Sequence, residues 1–266
     1  MEDPISLYTA ANKAAWNASA RLHGQGAAWD ALLKKAAQPG FSVLDQALTD
    51  AIGALELKGK SAVQIGCNNA RELLSLASLG ILPSAGIDQS AAFLDQAKRL
   101  AHAAGLAPRL VEADIYDLPA DLGTFDLALI TIGVLNWMPD LSRFFAVIAK
   151  LIHPGGYLII YETHPVMEMF EPTHETPFEP ALSYFREDPL KVDGLISYDG
   201  HDHGTGETGY WFIHSMGDIV TSCAAAGMAI QSLKEFGYSI REPDYDLYEG
   251  RDAQIPMSFL LQAKRT

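Results

Sequence analysis

The feature that most constrains the fold is an alternation, between residues 61 and 162, of short apolar runs with segments whose apolar residues recur at helical spacing. Short apolar runs are typical of buried strands, and the segments between them are long enough for helical crossovers. The predicted strands are Ala62–Ile65, Ala85–Asp88, Arg109–Glu112, Phe125–Thr131 and Tyr157–Glu162, followed by two closing antiparallel strands at Ala229–Tyr238 and Pro256–Ala263. We therefore expect an α/β fold with a Rossmann-like, doubly wound, mostly parallel sheet of seven strands.

The regions that flank this alternation have other patterns. Residues 1–58 have helical spacing, interrupted at Pro39-Gly40, and predict a helical N-terminal extension that closes over the main domain at 59–266. Residues 163–210 contain five prolines and no regular pattern, which predicts a substrate-side cap insertion before the last two strands. Its aromatic residues indicate an apolar or aromatic substrate pocket: Phe170, Phe178, Tyr184, Phe185, Tyr198, Tyr210, Trp211 and Phe212.

Composition excludes several classes of protein. The 266 residues carry a net charge of −14, and the 19 basic residues are scattered, so a nucleic-acid partner is not expected. No apolar run reaches the roughly 18–20 residues of a membrane span, and no basic segment leads into an apolar stretch near Met1, so neither a membrane anchor nor a signal peptide is expected. Two distant cysteines fit a reducing, cytoplasmic setting.

Polar and glycine residues follow the first two predicted strands. Gly66 allows a tight turn and close approach of a ligand to the backbone, and Asn68 tolerates a positive φ. Asp88 ends the second strand at a distance from Gly66 that suits a carboxylate on a ribose diol. A dinucleotide fingerprint would need glycine at Asn68 and Arg71. The loop therefore favours an adenosine-containing cofactor without a pyrophosphate over NAD.

In order and spacing, these segments resemble the class I S-adenosylmethionine (SAM)-dependent methyltransferases, of the small-molecule type that includes ubiquinone-biosynthesis-like enzymes. The resemblance covers roughly residues 60–162. The first family motif, an acid followed by G-x-G-x-G, falls on Gln64, Gly66, Asn68 and Ala70, and only Gly66 has the usual residue. Gly86-Ile87-Asp88 and Glu112–Pro119 look like the second motif and the adenine segment.

The resemblance implies that the chain binds SAM, forms S-adenosylhomocysteine (SAH) as product, and methylates a small molecule. Asp88 would bind the ribose hydroxyls, Asp114 would accept from the adenine amine, and the Ile115 N–H would meet the ring. The full set of expected cofactor residues is Trp16, Gln64, Gly66, Cys67, Asn68, Asp88, Gln89, Asp114, Ile115, Thr131, Ile132 and Gly133. Asp88 as a helix cap and Asp114 as a turn former are the structural alternatives.

Methyl transfer needs mainly alignment and exclusion of water, and a base only where the nucleophile must lose a proton. His164, directly after the fifth strand, and His214 are the candidate bases, with a backbone-bonding loop histidine as the alternative for His164. His201 and His203 favour a solvated turn, and no metal site is expected. Two other functions stay open: a non-catalytic SAM-binding or regulatory protein, and, disfavoured by its loop, an NAD-linked oxidoreductase.

Overall fold

The structure is a computed structural model that describes residues 4–197, 201–240 and 242–266. The α-helices of this part are α1 (Pro4–Ser19), α2 (Gly26–Ala36), α3 (Gln46–Gly53), α4 (Arg71–Ser75), α5 (Ala91–Ala103), α6 (Leu141–Leu151) and α7 (Met216–Ala225). The strands are β1 (Ser61–Ile65), β2 (Leu82–Asp88), β3 (Arg109–Glu112), β4 (Phe125–Thr131), β5 (Ile152–Thr163), β6 (Leu190–Gly194), β7 (Thr205–Trp211), β8 (Met228–Phe236) and β9 (Ser258–Arg265). Short 3₁₀ helices cover Ala20–Leu22, Leu76–Leu79, Leu135–Trp137, Pro165–Met169 and Pro243–Tyr248.

Seven strands form one sheet in the order β3-β2-β1-β4-β5-β9-β8. The first five strands of that order pair in parallel, and β9 pairs antiparallel with both β5 and β8. The predicted α/β fold, with its doubly wound, mostly parallel sheet and two closing antiparallel strands, is confirmed. Because β1 lies between β2 and β4, the order of strands reverses there, and this point of the sheet is where ligands bind in such folds.

Helices cover both faces of the sheet and bury its central strands. Six of the seven residues of β4 are buried, as expected for a strand packed on both faces. Helix α6 buries Phe144, Phe145 and Ile148 along one side, which is the spacing expected of an amphipathic helix. Ser90 begins α5 by accepting a hydrogen bond from Phe93 N, so this helix starts directly after the end of β2.

Three elements differ from the sequence-based expectation. Strand β5 begins at Ile152 rather than Tyr157, because the Pro154–Gly156 turn is accommodated by an irregular register against β4. The apolar spacing over Glu72–Leu79 predicts one helix, whereas the structure has the short α4 followed by a 3₁₀ turn that ends at Gly80. The cap insertion contains a two-stranded antiparallel sheet, β6 and β7, which was missed because strands at the surface show little apolar alternation.

Helix α1 packs against the β6–β7 hairpin through a buried amide. Asn12 Nδ2 donates to the carbonyl oxygens of Trp137 and Tyr210, both at 3.2 Å, and Asn12 Oδ1 accepts from Tyr210 N at 2.7 Å. The extension and the insertion therefore lie together, although their separation into domains stays a prediction. Within the described residues, no helix combines the length and apolarity that crossing a bilayer requires.

Candidate active site

The turn after β1 has a backbone that few residues other than glycine adopt. Gly66, Asn68 and Ala70 all have positive φ, at 60°, 50° and 61°. A Cβ atom on Gly66 would lie 2.6 Å from Val134 Cγ2, so a side chain there would collide as well as strain the backbone. The loop therefore departs from the expected glycine pattern at two positions while keeping the left-handed conformations that the pattern provides.

Gln64 stands where the resembling family has an acid. It is buried, its Nε2 donates to Thr131 Oγ1 at 3.1 Å, and its Oε1 accepts from Leu73 N at 2.9 Å. An amide has both a donor and an acceptor, so one side chain joins the end of β4 to the first turn of α4. Glu72, also in that first turn, contributes a buried carboxylate close to the loop.

Asp88 connects the first two strand ends. Its Oδ2 accepts from Asn68 N at 2.7 Å and its Oδ1 accepts from Ser90 N at 2.8 Å. Burial raises the pKa of this carboxyl, and the hydrogen bonds from backbone N–H groups oppose that rise. The helix cap is Ser90, not Asp88. Asp88 therefore fixes the loop, and as a carboxylate it has further lone pairs for a ligand.

Asp114, which follows β3, and the rings of Trp16 and Phe93 also line the cavity at these strand ends. Asp114 Oδ1 accepts from Tyr116 N at 2.9 Å, so it is a turn former while also lining the cavity beside Ile115. Trp16 from α1 meets the Phe93 ring edge-on, with ring centroids 5.7 Å apart. These groups line the cavity with a carboxylate and with apolar aromatic surface.

Glu162 is a site residue that the sequence reasoning missed. It lies at the end of β5, it is buried, and its carboxylate accepts from the backbone N–H groups of Gly133, Val134 and Leu135 at 2.8, 2.6 and 3.2 Å. Burial raises its pKa to about 7 against these hydrogen bonds. The sequence does contain a signal for this residue, because an acidic side chain inside an otherwise apolar strand is unusual. It fixes the turn that follows β4.

All twelve expected cofactor residues line one cavity at the carboxyl ends of β1, β2 and β4. The structure therefore brings these residues together as expected, while their contact with a cofactor stays a prediction. Other lining residues were not expected from the sequence: Thr9, Ile65, Asn69, Arg71, Glu72, Ile87, Phe93, Ala113, Val134, Trp137 and Met138.

A second cavity of about 370 Å³ adjoins the first and shares three lining residues with it, Trp16, Gly133 and Trp137. Its other walls come from the insertion and from the 3₁₀ helix after β8, including Trp211 and Glu242. Of the eight aromatic residues predicted to form a substrate pocket, only Trp211 lines this cavity among those that the structure describes. Phe178 and Phe185 are exposed, and Tyr198 lies outside the described residues.

The structure places His164, a candidate base expected beside the methyl position, outside the lining of both cavities, and its assignment as a base stays a prediction. His164 is 3% exposed and lines neither cavity. Its Nδ1 accepts from Val166 N at 3.1 Å, capping a 3₁₀ helix, and its Nε2 donates to Glu235 Oε1 at 2.8 Å. Burial lowers its pKa, with Glu235 opposing. The alternative of a loop histidine bonded to backbone describes it better.

His214 is also displaced from both cavities. Its Nε2 donates to the Met138 carbonyl oxygen at 2.8 Å, and its ring stacks on Phe212 with centroids 6.4 Å apart. Burial lowers its pKa. His201, which was expected in a solvated turn, is exposed and lies at the edge of the second cavity.

Comparison with known proteins agrees with this geometry. Residues 63–160 match the family model described as a methyltransferase domain. Phthiotriol/phenolphthiotriol dimycocerosates methyltransferase 1 of Mycobacterium ulcerans is 28% identical over 44% of this chain and 42% of its own length. Demethylmenaquinone methyltransferase of Thermus thermophilus is 35% identical over 30% of this chain and 36% of its own length. The chain thus spans less than half the length of either relative.

Among solved structures, magnesium protoporphyrin IX methyltransferase from Synechocystis, determined with bound SAH, superposes with a TM-score of 0.57 at 16% identity. The superposition covers 98% of each chain. Similarity at this level of identity shows the fold. The sheet order and the segment that matches the methyltransferase-domain model agree with the resemblance to the class I SAM-dependent methyltransferases.

Proposed function

We propose that this protein is an enzyme that transfers a methyl group from SAM to a small-molecule acceptor. The observation that carries the proposal is the pair of adjoining cavities, of which the first gathers all the expected cofactor residues and the second lies on the insertion side. The relatives named above are methyltransferases of small metabolites, which supports an acceptor of that kind. The finer assignment to a ubiquinone-biosynthesis-like type is part of the proposal.

The residues of the first cavity fit the parts of SAM. Gly66 leaves the backbone of the loop open to close approach, since any Cβ there would collide with Val134. Asp88 would hold the ribose hydroxyls, and Asp114 with Ile115 would hold the adenine edge. Trp16 and Phe93 give the apolar wall that a purine ring needs.

When bound, SAM supplies a methyl group on a positively charged sulfur, which is already a strong electrophile. The chain then has to align an acceptor with the sulfur–methyl axis and exclude water. Trp16, Gly133 and Trp137, which line both cavities, mark where the two ligands would meet. Because His164 and His214 point elsewhere, neither is proposed as a base.

The test is methyl transfer itself. Purified protein is incubated with SAM labelled in its methyl group and with metabolites that offer amine, hydroxyl, thiol or activated carbon acceptors. We expect labelled product from at least one class, and loss of it on addition of excess SAH. SAH binding without transfer to any acceptor would favour the non-catalytic, regulatory alternative.

Calorimetric titration separates this function from the oxidoreductase alternative. We expect SAH to bind and NADH not to bind, because the loop lacks the glycines that admit a pyrophosphate. Asp88→Ala should weaken SAH binding about tenfold or more, since it removes charged hydrogen-bond acceptors from the ribose position and from Asn68 N. Binding of NADH, or an unchanged SAH affinity in Asp88→Ala, would overturn the proposal.

A further inference from the structure

Three of the four tryptophans of the chain meet at the second cavity. The rings of Trp137 and Trp211 are 5.0 Å apart at 88°, and those of Trp16 and Trp137 are 5.5 Å apart at 72°. The Trp211 Nε1 donates to Glu168 Oε2 at 2.6 Å, which fixes that indole against a buried carboxylate. Indole rings attract cations more strongly than other aromatic side chains do.

The remaining charge on this cavity is negative. Glu242, Asp244 and Asp202 line it, and among the described residues no lysine or arginine does. Glu168 lies directly behind Trp211. No cationic side chain within the described part of the chain pairs with Glu242. Within the described residues, the cavity therefore combines aromatic surface with carboxyl groups that no lysine or arginine of its lining neutralises.

A second sign of a ligand is independent of these acids. Trp137 is 4% exposed and lines both cavities, yet its Nε1 has no hydrogen-bond partner among the described residues. A buried donor without a partner costs about 1–3 kcal/mol. A ligand that carries a hydrogen-bond acceptor beside its basic nitrogen would supply the partner that this indole N–H lacks.

The carboxylates are held close enough to affect one another. Burial raises the pKa of Glu242 to about 8, and the neighbouring charges add to the rise: Glu168, Glu162 and Asp244. Burial likewise raises the pKa of Glu168 to about 7, opposed by Trp211 and assisted by Glu162. A bound cation would offset this repulsion and return the group to its charged form.

We propose that the methyl acceptor is an amine, whose nitrogen enters the second cavity as a cation between Trp16, Trp137 and Trp211 and beside Glu242. The proposal rests on the proposed function, because the nitrogen would be methylated from SAM in the first cavity. It narrows the acceptor from small molecules in general to compounds that carry a basic nitrogen next to an apolar or aromatic group.

The chemical step balances with these groups alone. The ammonium first gives one proton to the Glu242 carboxylate, which frees a lone pair on nitrogen. That pair forms the new nitrogen–carbon bond as the carbon–sulfur bond breaks, and the bonding electrons stay on sulfur to give neutral SAH. The methylated ammonium leaves with its positive charge, and Glu242 returns its proton to water.

The experiment compares three probes of similar shape and different charge on protein saturated with SAH. Phenethylamine is cationic at pH 7, 2-phenylethanol is neutral and phenylacetate is anionic. By calorimetry we expect phenethylamine to bind about tenfold or more tightly than 2-phenylethanol, with phenylacetate weakest. Equal binding of the amine and the alcohol, a preference for the anion, or binding of none of them at millimolar concentration would overturn the proposal.

Glu242→Gln tests the role of the carboxylate. We expect it to weaken phenethylamine binding about tenfold while 2-phenylethanol and SAH bind as before. Asp246→Asn removes a charge from the 3₁₀ helix that follows Glu242, at an exposed position outside the cavity, and it should change none of the three. Intact amine binding in Glu242→Gln would contradict the proposal, whereas failure of SAH to bind to the unaltered protein would refute the proposed function instead.

Discussion

The two cavities are built in opposite ways. The first is formed by residues that directly follow β1, β2, β3 and β4, and much of its shape is fixed by hydrogen bonds to backbone N–H groups, such as those that Asp88 accepts. The second is formed mainly by side chains brought together from distant segments, including Trp211 and Glu242, and it shares Trp16 with the first. The parallel sheet therefore determines the cofactor side, whereas packing of the extension on the insertion determines the acceptor side.

The largest expected effect is at the loop of the first cavity. Gly66→Ala should weaken SAH binding at least about 100-fold, because the added methyl group meets Val134 and the residue keeps a φ of 60°. Gly105→Ala is the matched control, since its φ is 65° but its Cβ would meet nothing within 4 Å. Calorimetry measures both. Similar affinities for the two variants would show that the close approach at Gly66 is unimportant.

Glu162 accepts a hydrogen bond from Gly133 N, and Gly133 lines both cavities although Glu162 itself lines neither. Glu162→Gln should lower the free energy of unfolding by about 3 kcal/mol, because an amide N–H₂ would face backbone donors in a buried place. Urea denaturation measures the change, and Glu207→Gln, at an exposed position on β7, is the control. A loss no larger than that of the control would mean that the carboxylate does not fix this turn.

Asn12 tests the acceptor side separately. Asn12→Ala should lower the free energy of unfolding by about 2 kcal/mol, because it removes the side chain that bonds Tyr210 N and two carbonyl oxygens. Hydrogen exchange should become faster in β6 and β7, while the amides of β1 and β2 keep their protection. Equal acceleration of hydrogen exchange in β6–β7 and in β1–β2 would show that the two cavities are not stabilised separately.

The smallest effect is a pH dependence. The pKa of Glu242 in the folded chain, about 8, lies above that of an unfolded glutamate, so its contribution to stability is present at low pH and is lost as pH rises through 8. Glu242→Gln should remove about 1 kcal/mol of the fall in stability between pH 7 and 8.5, since about 1.4 kcal/mol is lost per pH unit until the folded carboxyl ionises near pH 8. Urea titrations at both values measure it. An identical slope in the variant would show that this carboxyl is already charged at pH 7.

Much of the fold and the first cavity could be predicted because each depends on local pattern. The run Phe125–Thr131 was identified as β4 with its observed bounds, since a buried central strand is apolar on both faces. Asp88 and Gly66 were recognised because they follow strands directly. Asn68 and Ala70 adopt the left-handed conformations that glycine usually provides in this loop. A sequence pattern that looks for glycine does not detect this.

The second cavity could not be predicted, because contacts distant in sequence leave no periodic signal. Glu242 follows β8 by several residues, and only the packing of the 3₁₀ helix that it precedes brings it to the same cavity as Trp211. The contacts of His164 could not be predicted for a related reason. Its position after β5 was right, but Pro165 begins a 3₁₀ helix that His164 caps, so the ring turns toward Glu235.

A crystal structure of the chain with SAH tests the central claim most directly. We expect the ribose hydroxyls within hydrogen-bond distance of Asp88, the adenine between Asp114 and Trp16, and the sulfur directed past Gly133 toward the cavity that holds Trp211. SAH bound elsewhere, or with its sulfur facing away from that second cavity, would contradict the account.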